Sequence, residues 1–137
     1  MNLSIQNRIT FRNPDTMPKS SGYTNVVEVN SGRMIYISGQ VAVNKEGNMV
    51  GIGDLAAQAR QVFENIKAAL EDRGASFHDV VKFTYFMTDI SQIQIVRDIR
   101  DLYIHTENPP ASSAVEVSKL VREEFLIEIE AIAAPAQ

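Results

Sequence analysis

The chain has 137 residues, of which 45% are hydrophobic and 22% charged, with a formal net charge of −4 and no cysteine. This length and balance favour one globular domain spanning residues 1–137, and they exclude a disulfide framework or a thiolate nucleophile. No apolar run is long enough to span a membrane, and residues 1–20 lack a signal-peptide core. We therefore expect a cytoplasmic protein with no membrane contact, and the acidic balance disfavours nucleic acid as a partner.

The first half of the chain predicts extended pieces followed by one helix. Residues 1–20 form an extended N-terminal segment, and residues 24–29 and 34–40 predict strands. The second of these strands is apolar on both sides, which predicts a central position in a sheet. A helix is predicted to begin after Asp54 as its N-cap and to end at Gly74, with Gln58 on its polar side.

The second half alternates strands with a shorter helix. Residues 80–88 are rich in β-branched and aromatic side chains and predict a strand. Residues 89–92 have the form of a capping box and open a helix that prolines 109 and 110 stop. Two further strands are predicted at 112–120 and 125–133, so the element order predicts an α+β domain.

Two amphipathic helices can cover only one face of such a sheet. On the last strand, Glu128, Glu130 and Ile132 alternate with three apolar residues. We expect the apolar set to face the helices and the set of Glu128, Glu130 and Ile132 to face the uncovered side. Ser112 and Glu116 of the preceding strand are predicted to share that face. Because the face is mixed rather than fully polar, we expect it to meet another subunit in a homo-oligomer.

Several short stretches together resemble the Rid family, the reactive-intermediate deaminases also called the YjgF family. They are IYISGQ (35–40), QARQVFENIK (58–67), DVVK (79–82) with Thr88-Asp89, PASSAVEV (110–117) and FLIEIEA (125–131). The resemblance implies a chorismate-mutase-like α+β domain, with two helices packed on one face of a mixed sheet, in a barrel-like homotrimer. It also implies inter-subunit clefts that bind small metabolites, and hydrolysis of 2-imino or enamino acids to ammonium and 2-keto acids without a cofactor.

The resemblance also assigns site residues. Glu128 matches the catalytic glutamate that positions the attacking water, and Tyr23, Ser38 and Gly39 match ligand-binding positions. Ser112 stands where most deaminating members carry the arginine that grips the substrate carboxylate. A hydroxyl gives one neutral hydrogen bond of about 1 kcal/mol, whereas the arginine fork gives two charge-assisted ones of roughly 1.5–3 kcal/mol each. The usual 2-imino acid reaction is therefore doubtful, and a neutral or cationic substrate fits better.

Four cations are candidates to replace the missing arginine. Arg97 on the second helix is the leading one and is predicted to bind ligand, followed by Arg100, Lys82 and Arg33. For each, the alternative is solvated surface charge or an ion pair with a glutamate. For Glu128 the alternative is an ion pair between subunits.

Two functions follow from different readings of these residues. One is a cofactor-independent imine or enamine deaminase, a hydrolase that acts on C–N bonds. The other is a non-catalytic homotrimer that binds a small ligand or partner protein between its subunits. A ribonuclease role, which older labels of the family suggest, is disfavoured by the acidic balance. His78 and His105 lack metal-ligand spacing with each other or with a carboxylate, so we expect no metal site.

Overall fold

A four-stranded mixed sheet with two helices on one face forms the body of the computed structural model, which describes residues 8–137. In the sheet order β3-β6-β4-β5, strands β4 and β5 run parallel and the other neighbours antiparallel. A separate antiparallel pair joins β1 to β2. The strands are β1 (Ile9–Arg12), β2 (Val26–Val29), β3 (Ile35–Gln40), β4 (Val80–Met87), β5 (Ala111–Glu116) and β6 (Ile127–Ala133). The predicted α+β fold with two helices packed on a mixed sheet is confirmed.

The long helix α1 (Leu55–Asp72) begins and ends where its sequence signals place it. The Asp54 carboxylate accepts a hydrogen bond of 3.1 Å from the Ala57 N–H, as an N-cap does. Gly74 adopts a φ of 69° just beyond the last turn, and its N–H donates to the Glu71 carbonyl at 3.1 Å. A left-handed glycine at this position closes the helix without a Cβ penalty.

The second helix, α2 (Ile93–Arg100), has eight residues and follows a 3₁₀ turn at Ile90–Gln92. Asp89 caps that turn, because its carboxylate accepts from the N–H and the hydroxyl of Ser91. Another 3₁₀ turn, Phe77–Asp79, leads into β4. No helix within residues 8–137 is long and apolar enough to cross a membrane.

The core lies between the helices and one face of the four-stranded sheet, which we call the helix face. On β4 the side chains of Phe83, Tyr85 and Met87 are buried on this face, whereas the alternate residues are only partly buried. Phe63 of α1 stacks on Tyr103 with ring centroids 5.2 Å apart and meets the edge of Phe83 at 5.9 Å. The opposite side of the sheet, which no helix covers, is called the open face below.

The predictions for three strands, β3, β5 and β6, are wrong in part. Strand β3 lies at an edge of the sheet and not at its centre, and its Tyr36 is 74% exposed on the open face. Strands β5 and β6 are shorter than predicted. Of the predicted extended segment 1–20, residues 1–7 lie outside the described part of the chain.

The prediction for Gln58, which rested on its residue type, is also wrong. It is 1% exposed, although glutamine at that point of the repeat indicated the polar side of α1. Its amide donates to the Gly51 and Glu124 carbonyls at 3.0 and 2.9 Å and accepts from the Leu126 N–H at 2.9 Å. A buried amide with all of these partners joins α1 to the loop that leads into β6.

Candidate functional site

The residues that the sequence singles out fall into two separate groups. The first, the glutamate group, consists of Ser38, Gly39 and Glu128. Glu128 pairs with Phe86 of β4 and lies on the open face, as predicted. The β3–β6 register shifts between Ile37 and Gln40, and this irregular stretch contains Ser38 and Gly39.

Gly39 matters because the Glu128 side chain lies directly over it. A Cβ at residue 39 would come within 2.7 Å of the Glu128 Cδ atom and would overlap its carboxylate. Within residues 8–137 the Glu128 carboxylate makes no hydrogen bond or ion pair. The group therefore presents an uncompensated carboxylate on the open face, in a position that only glycine at residue 39 permits.

The second group surrounds a small cavity of about 30 Å³ on the helix face, between β4, β5 and α2. We call it the arginine group. The lining residues that the argument uses are Tyr23, Tyr85, Arg97, Arg100 and Ser112.

Tyr23 reaches this cavity because its neighbour is tied to the start of β5. The Thr24 N–H donates to the Pro110 carbonyl at 3.2 Å, and the Thr24 hydroxyl donates to the carbonyl of Pro109. Thr24 itself is 2% exposed. These bonds hold the segment before β2 against the residues that lead to Ser112.

The predicted orientation of Ser112 is wrong. In the parallel pair β4–β5, Ser112 is the partner of Phe83 and Glu116 is the partner of Met87. Paired residues point to the same side of a sheet, so both side chains lie on the helix face and not on the open face. The Glu116 carboxylate accepts from the Ile90 N–H at 3.0 Å, in agreement with that side.

The error has a physical reason. Alternation along a strand separates two faces but does not say which of them the helices cover, and a one-residue shift in register exchanges them. Strand β5 gives little burial contrast to decide the matter, because it is an edge strand whose last four residues are exposed. The acidic open face therefore contains Glu128 and Glu130 but not Glu116.

Arg100 is the cation that the fold buries beside Ser112. The residue is 7% exposed, and its Nε and Nη2 atoms both lie 2.9 Å from one carboxylate oxygen of Asp101. Gly22, with a φ of 78°, passes close to the guanidinium, since a Cβ there would lie 3.1 Å from Nη2. Arg97 is exposed and lines the same cavity, so both helix arginines border the cavity that Ser112 also lines.

Tyr85, which sequence reasoning did not single out, contributes a buried hydroxyl to the same cavity. The residue is 4% exposed, and burial raises the pKa of Tyr85 well above its usual value, although the nearby Arg100 charge partly opposes this. The Arg100 side chain is the polar neighbour of this hydroxyl, although their contact falls outside strict hydrogen-bond geometry. The alternation of β4 was the signal for it, because Tyr85 lies between the core residues Phe83 and Met87.

The other two candidate cations lie elsewhere. Lys82 points to the open face, where its Nζ atom donates to the Ser113 hydroxyl at 3.1 Å. Arg33 donates to the carbonyls of Ala136 and Arg73 at 3.2 and 3.0 Å. It therefore ties the end of α1 to the C-terminal residues.

A single copy of the chain does not join the two groups. Ser112 lies on β5 and Glu128 on β6, two strands apart in the sheet order and on opposite faces. Strand spacing separates them by about 10 Å across the sheet, and their partners on β4 are three residues apart, about 10 Å along it.

The two histidines are closer than the sequence indicates. The rings of His78 and His105 meet edge to face with centroids 4.7 Å apart. Among the described residues no group of three or more histidine and carboxylate side chains is placed to hold a metal ion.

Comparison with known proteins agrees with this architecture. A family model described as endoribonuclease L-PSP matches residues 15–135. The chain belongs to this family, also called YjgF/Rid. The resemblance predicted from the sequence is therefore confirmed.

The relatives include proteins of named activity. The 2-iminobutanoate/2-iminopropanoate deaminase of Escherichia coli K12 is 41% identical over 107 residues, which cover 77% of this chain and 82% of that protein. A RutC family protein of Pyrococcus abyssi is 40% identical over 117 residues, or 85% and 89% of the two chains. The solved structure of the Rid family protein YyfB from Yersinia pestis matches with a TM-score of 0.82 at 37% identity and covers 93% of this chain and 99% of its own.

Proposed function

We propose that the protein is a cofactor-independent hydrolase that cleaves the C–N bond of small imines or enamines in a cleft between the subunits of a homotrimer. The observation that carries this proposal is the Glu128 carboxylate, which lies against Gly39 on the open face and forms no ion pair with any residue from 8 to 137. A carboxylate in that condition can orient water and accept its proton. The named activity of the E. coli relative supports the same reaction class.

The reaction is balanced with water as the only co-reactant. Glu128 takes a proton from water while the oxygen of that water bonds to the carbon of the protonated imine. The product of this step is a carbinolamine. The proton then passes from Glu128 to the nitrogen, the C–N bond breaks with release of ammonia, and the hydroxyl gives its proton to that ammonia as the carbonyl forms. The products are the ketone or keto acid and ammonium.

The cleft requires a second copy of the chain, because each copy keeps its two groups apart. The open face carries exposed apolar side chains, among them Tyr36 at 74% and Val115 at 43% exposure. Such a face is normally covered by another subunit. In the proposed homotrimer, the glutamate group of one copy meets the arginine group of the next, and the small metabolite binds between them.

The test measures ammonium release from 2-iminobutanoate generated in solution, with a neutral imine in parallel. The protein should exceed the spontaneous rate, and Glu128→Gln should reduce kcat by roughly 10²–10⁴-fold, the usual contribution of a positioned general base. Glu130→Gln is the matched control, because it removes the neighbouring carboxylate of the same strand face. Spontaneous rates for all imines, or equal rates for the Glu128 and Glu130 variants, would refute the proposal. Sedimentation at any mass other than three chains would refute the trimer.

A second function is favoured by one observation, the serine at residue 112 of the cavity. Without a strand arginine, the protein is a candidate for a non-catalytic trimer that binds a small ligand between subunits. A ligand selective for the folded state then raises the melting temperature without turnover. Ammonium release that depends on Glu128 decides against this alternative.

A further inference from the structure

The fold brings together the two histidines of the chain, which has no cysteine. The rings of His78 and His105 meet edge to face, with centroids 4.7 Å apart and planes inclined by 64°. His78 is exposed and His105 is half-buried, so solvent reaches the pair. Neither histidine belongs to the glutamate group or lines the cavity of the arginine group. The pair is therefore a feature that the proposed hydrolysis does not use.

Local hydrogen bonds hold the backbone at both histidines. His78 lies in the 3₁₀ turn Phe77–Asp79, and its N–H donates to the Ser76 hydroxyl at 3.3 Å. The carbonyl of His105, in the segment that follows α2, accepts from the Asn108 N–H at 3.2 Å. Each imidazole is thus presented by a fixed piece of backbone, which is what a precise ligand site requires.

The ring nitrogens of both histidines are available to a ligand. Neither ring forms a hydrogen bond or an ion pair with any residue from 8 to 137. Each ring can therefore turn about its Cβ–Cγ bond, a torsion that has only a broad preference in histidine. A neutral imidazole has one nitrogen with a lone pair, and histidine is the commonest metal ligand among side chains.

The separation of the rings matches that of two imidazoles on one metal ion. A ring nitrogen binds a divalent metal at about 2.1 Å, which places the ring centroid about 3.2 Å from the metal. Two such rings have centroids about 4.5 Å apart at a ligand angle of about 90° and about 5.2 Å apart at the tetrahedral angle. The observed 4.7 Å lies between these values. Rotation of the rings is therefore enough to bind a metal, with both backbones left in place.

We infer that His78 and His105 together bind one divalent transition-metal ion, with Cu²⁺ preferred. The affinity of a nitrogen site rises along the first-row metals to Cu²⁺, and a ligand angle near 90° suits the square-planar geometry of that ion. Among the described residues no third histidine or carboxylate joins the pair, so water completes the coordination. The expectation of no metal site rested on spacing along the chain, which does not report contacts between distant segments.

The bound ion joins two parts of the fold. It ties the turn before β4 to the segment after α2, and the net charge of −4 favours a cation at the surface. Chelation by two imidazoles differs from two separate histidine sites in one measurable respect. Loss of either ring removes the gain from linking the two ligands, which is at least about 10²-fold in affinity.

The test titrates Cu²⁺ into metal-free protein, purified without a histidine tag, by calorimetry and by electron paramagnetic resonance. The unmodified protein should bind one Cu²⁺ per chain, with a spectrum that shows two imidazole nitrogens. His105→Phe keeps an aromatic ring in the contact but removes both ring nitrogens, so it should weaken Cu²⁺ binding roughly 10²-fold. His78→Phe should weaken it to the same extent. Without metal, both variants should melt as the unmodified protein does, because the contact between rings is kept.

Three results would overturn the inference. A spectrum of the unmodified protein without two imidazole nitrogens does so whatever the variants show. Equal affinity of the two variants and the unmodified protein would place the ion elsewhere. Loss of binding in the double variant alone would indicate two independent single-histidine sites. The reaction of Glu128 is measured on metal-free protein, so the proposed function stands or falls separately.

Discussion

Gly39→Ala tests whether the position of the Glu128 carboxylate, and not merely its presence, determines the rate. The added Cβ would lie 2.7 Å from Cδ and 3.0 Å from Cγ of Glu128, whereas ordinary contacts of a Cβ are 3.4–4 Å. The end of the side chain must therefore shift by about 1 Å. A misplacement of that size in a catalytic site can cost about 10²-fold in rate, which equals about 2.7 kcal/mol of activation free energy.

The fold should tolerate the same substitution. Gly39 is not among the residues with positive φ, so alanine meets no backbone penalty there. The atoms in its way belong to the flexible end of a half-buried side chain, and glycine within a strand carries its own entropic cost. We expect the free energy of unfolding to change by less than about 1 kcal/mol. Urea denaturation measures this on the same samples as the kinetics.

A double-mutant cycle gives the decisive measurement. If Gly39→Ala acts through Glu128, it should lower kcat/KM about 10²-fold in the unmodified protein and leave the rate unchanged in the Glu128→Gln background. An equal loss in both backgrounds would show that residue 39 acts through another group. A large loss of stability would show that glycine serves the strand and not the site.

Two further predictions concern stability. Gln58→Leu should lower the free energy of unfolding by about 2–4 kcal/mol, because it leaves backbone groups of the loop before β6 without partners. A loss below about 1 kcal/mol in urea denaturation would contradict this role. Burial and the 2.7 Å hydrogen bond to Glu64 raise the pKa of Tyr103 to about 12. Its stabilising contribution is therefore complete below pH 10 and lost as the pH rises through about 12. Tyrosinate absorbance should show Glu64→Gln lowering this pKa, and an unchanged titration would refute the assignment.

Patterns that are local in sequence predicted the fold well. The 18 residues of α1 carry a long apolar repeat between a capping aspartate and a terminating glycine, so the helix needs no tertiary information to be found. The β-branched and aromatic side chains of β4 likewise predict a strand from composition alone. The edge position of β3 was missed because an apolar strand at an edge looks like a central one until its neighbours are known.

The site was harder to predict because it depends on which side chains share a face. Sequence reasoning preferred Arg97 to Arg100, yet Ile93, Val96, Arg100 and Tyr103 follow one another at spacings of three and four residues. That repeat places Arg100 on the buried side of α2 and was the signal that went unused. The orientation of Ser112 carried no such signal, since it depends on the register of a parallel pair formed across 29 residues.

The division of the site between two copies leads to a complementation experiment. Glu128→Gln removes the proton acceptor from one group, and Arg100→Gln removes the cation from the other, so each variant alone should be nearly inactive. In trimers refolded together from equal amounts of the two variants, a cleft is intact when its glutamate comes from the Arg100 variant and its arginine from the Glu128 variant. Random assembly makes about one cleft in four intact, so the mixture should regain about a quarter of the unmodified activity. If both groups served the same chain, no cleft would contain both side chains and the mixture would stay as inactive as its components.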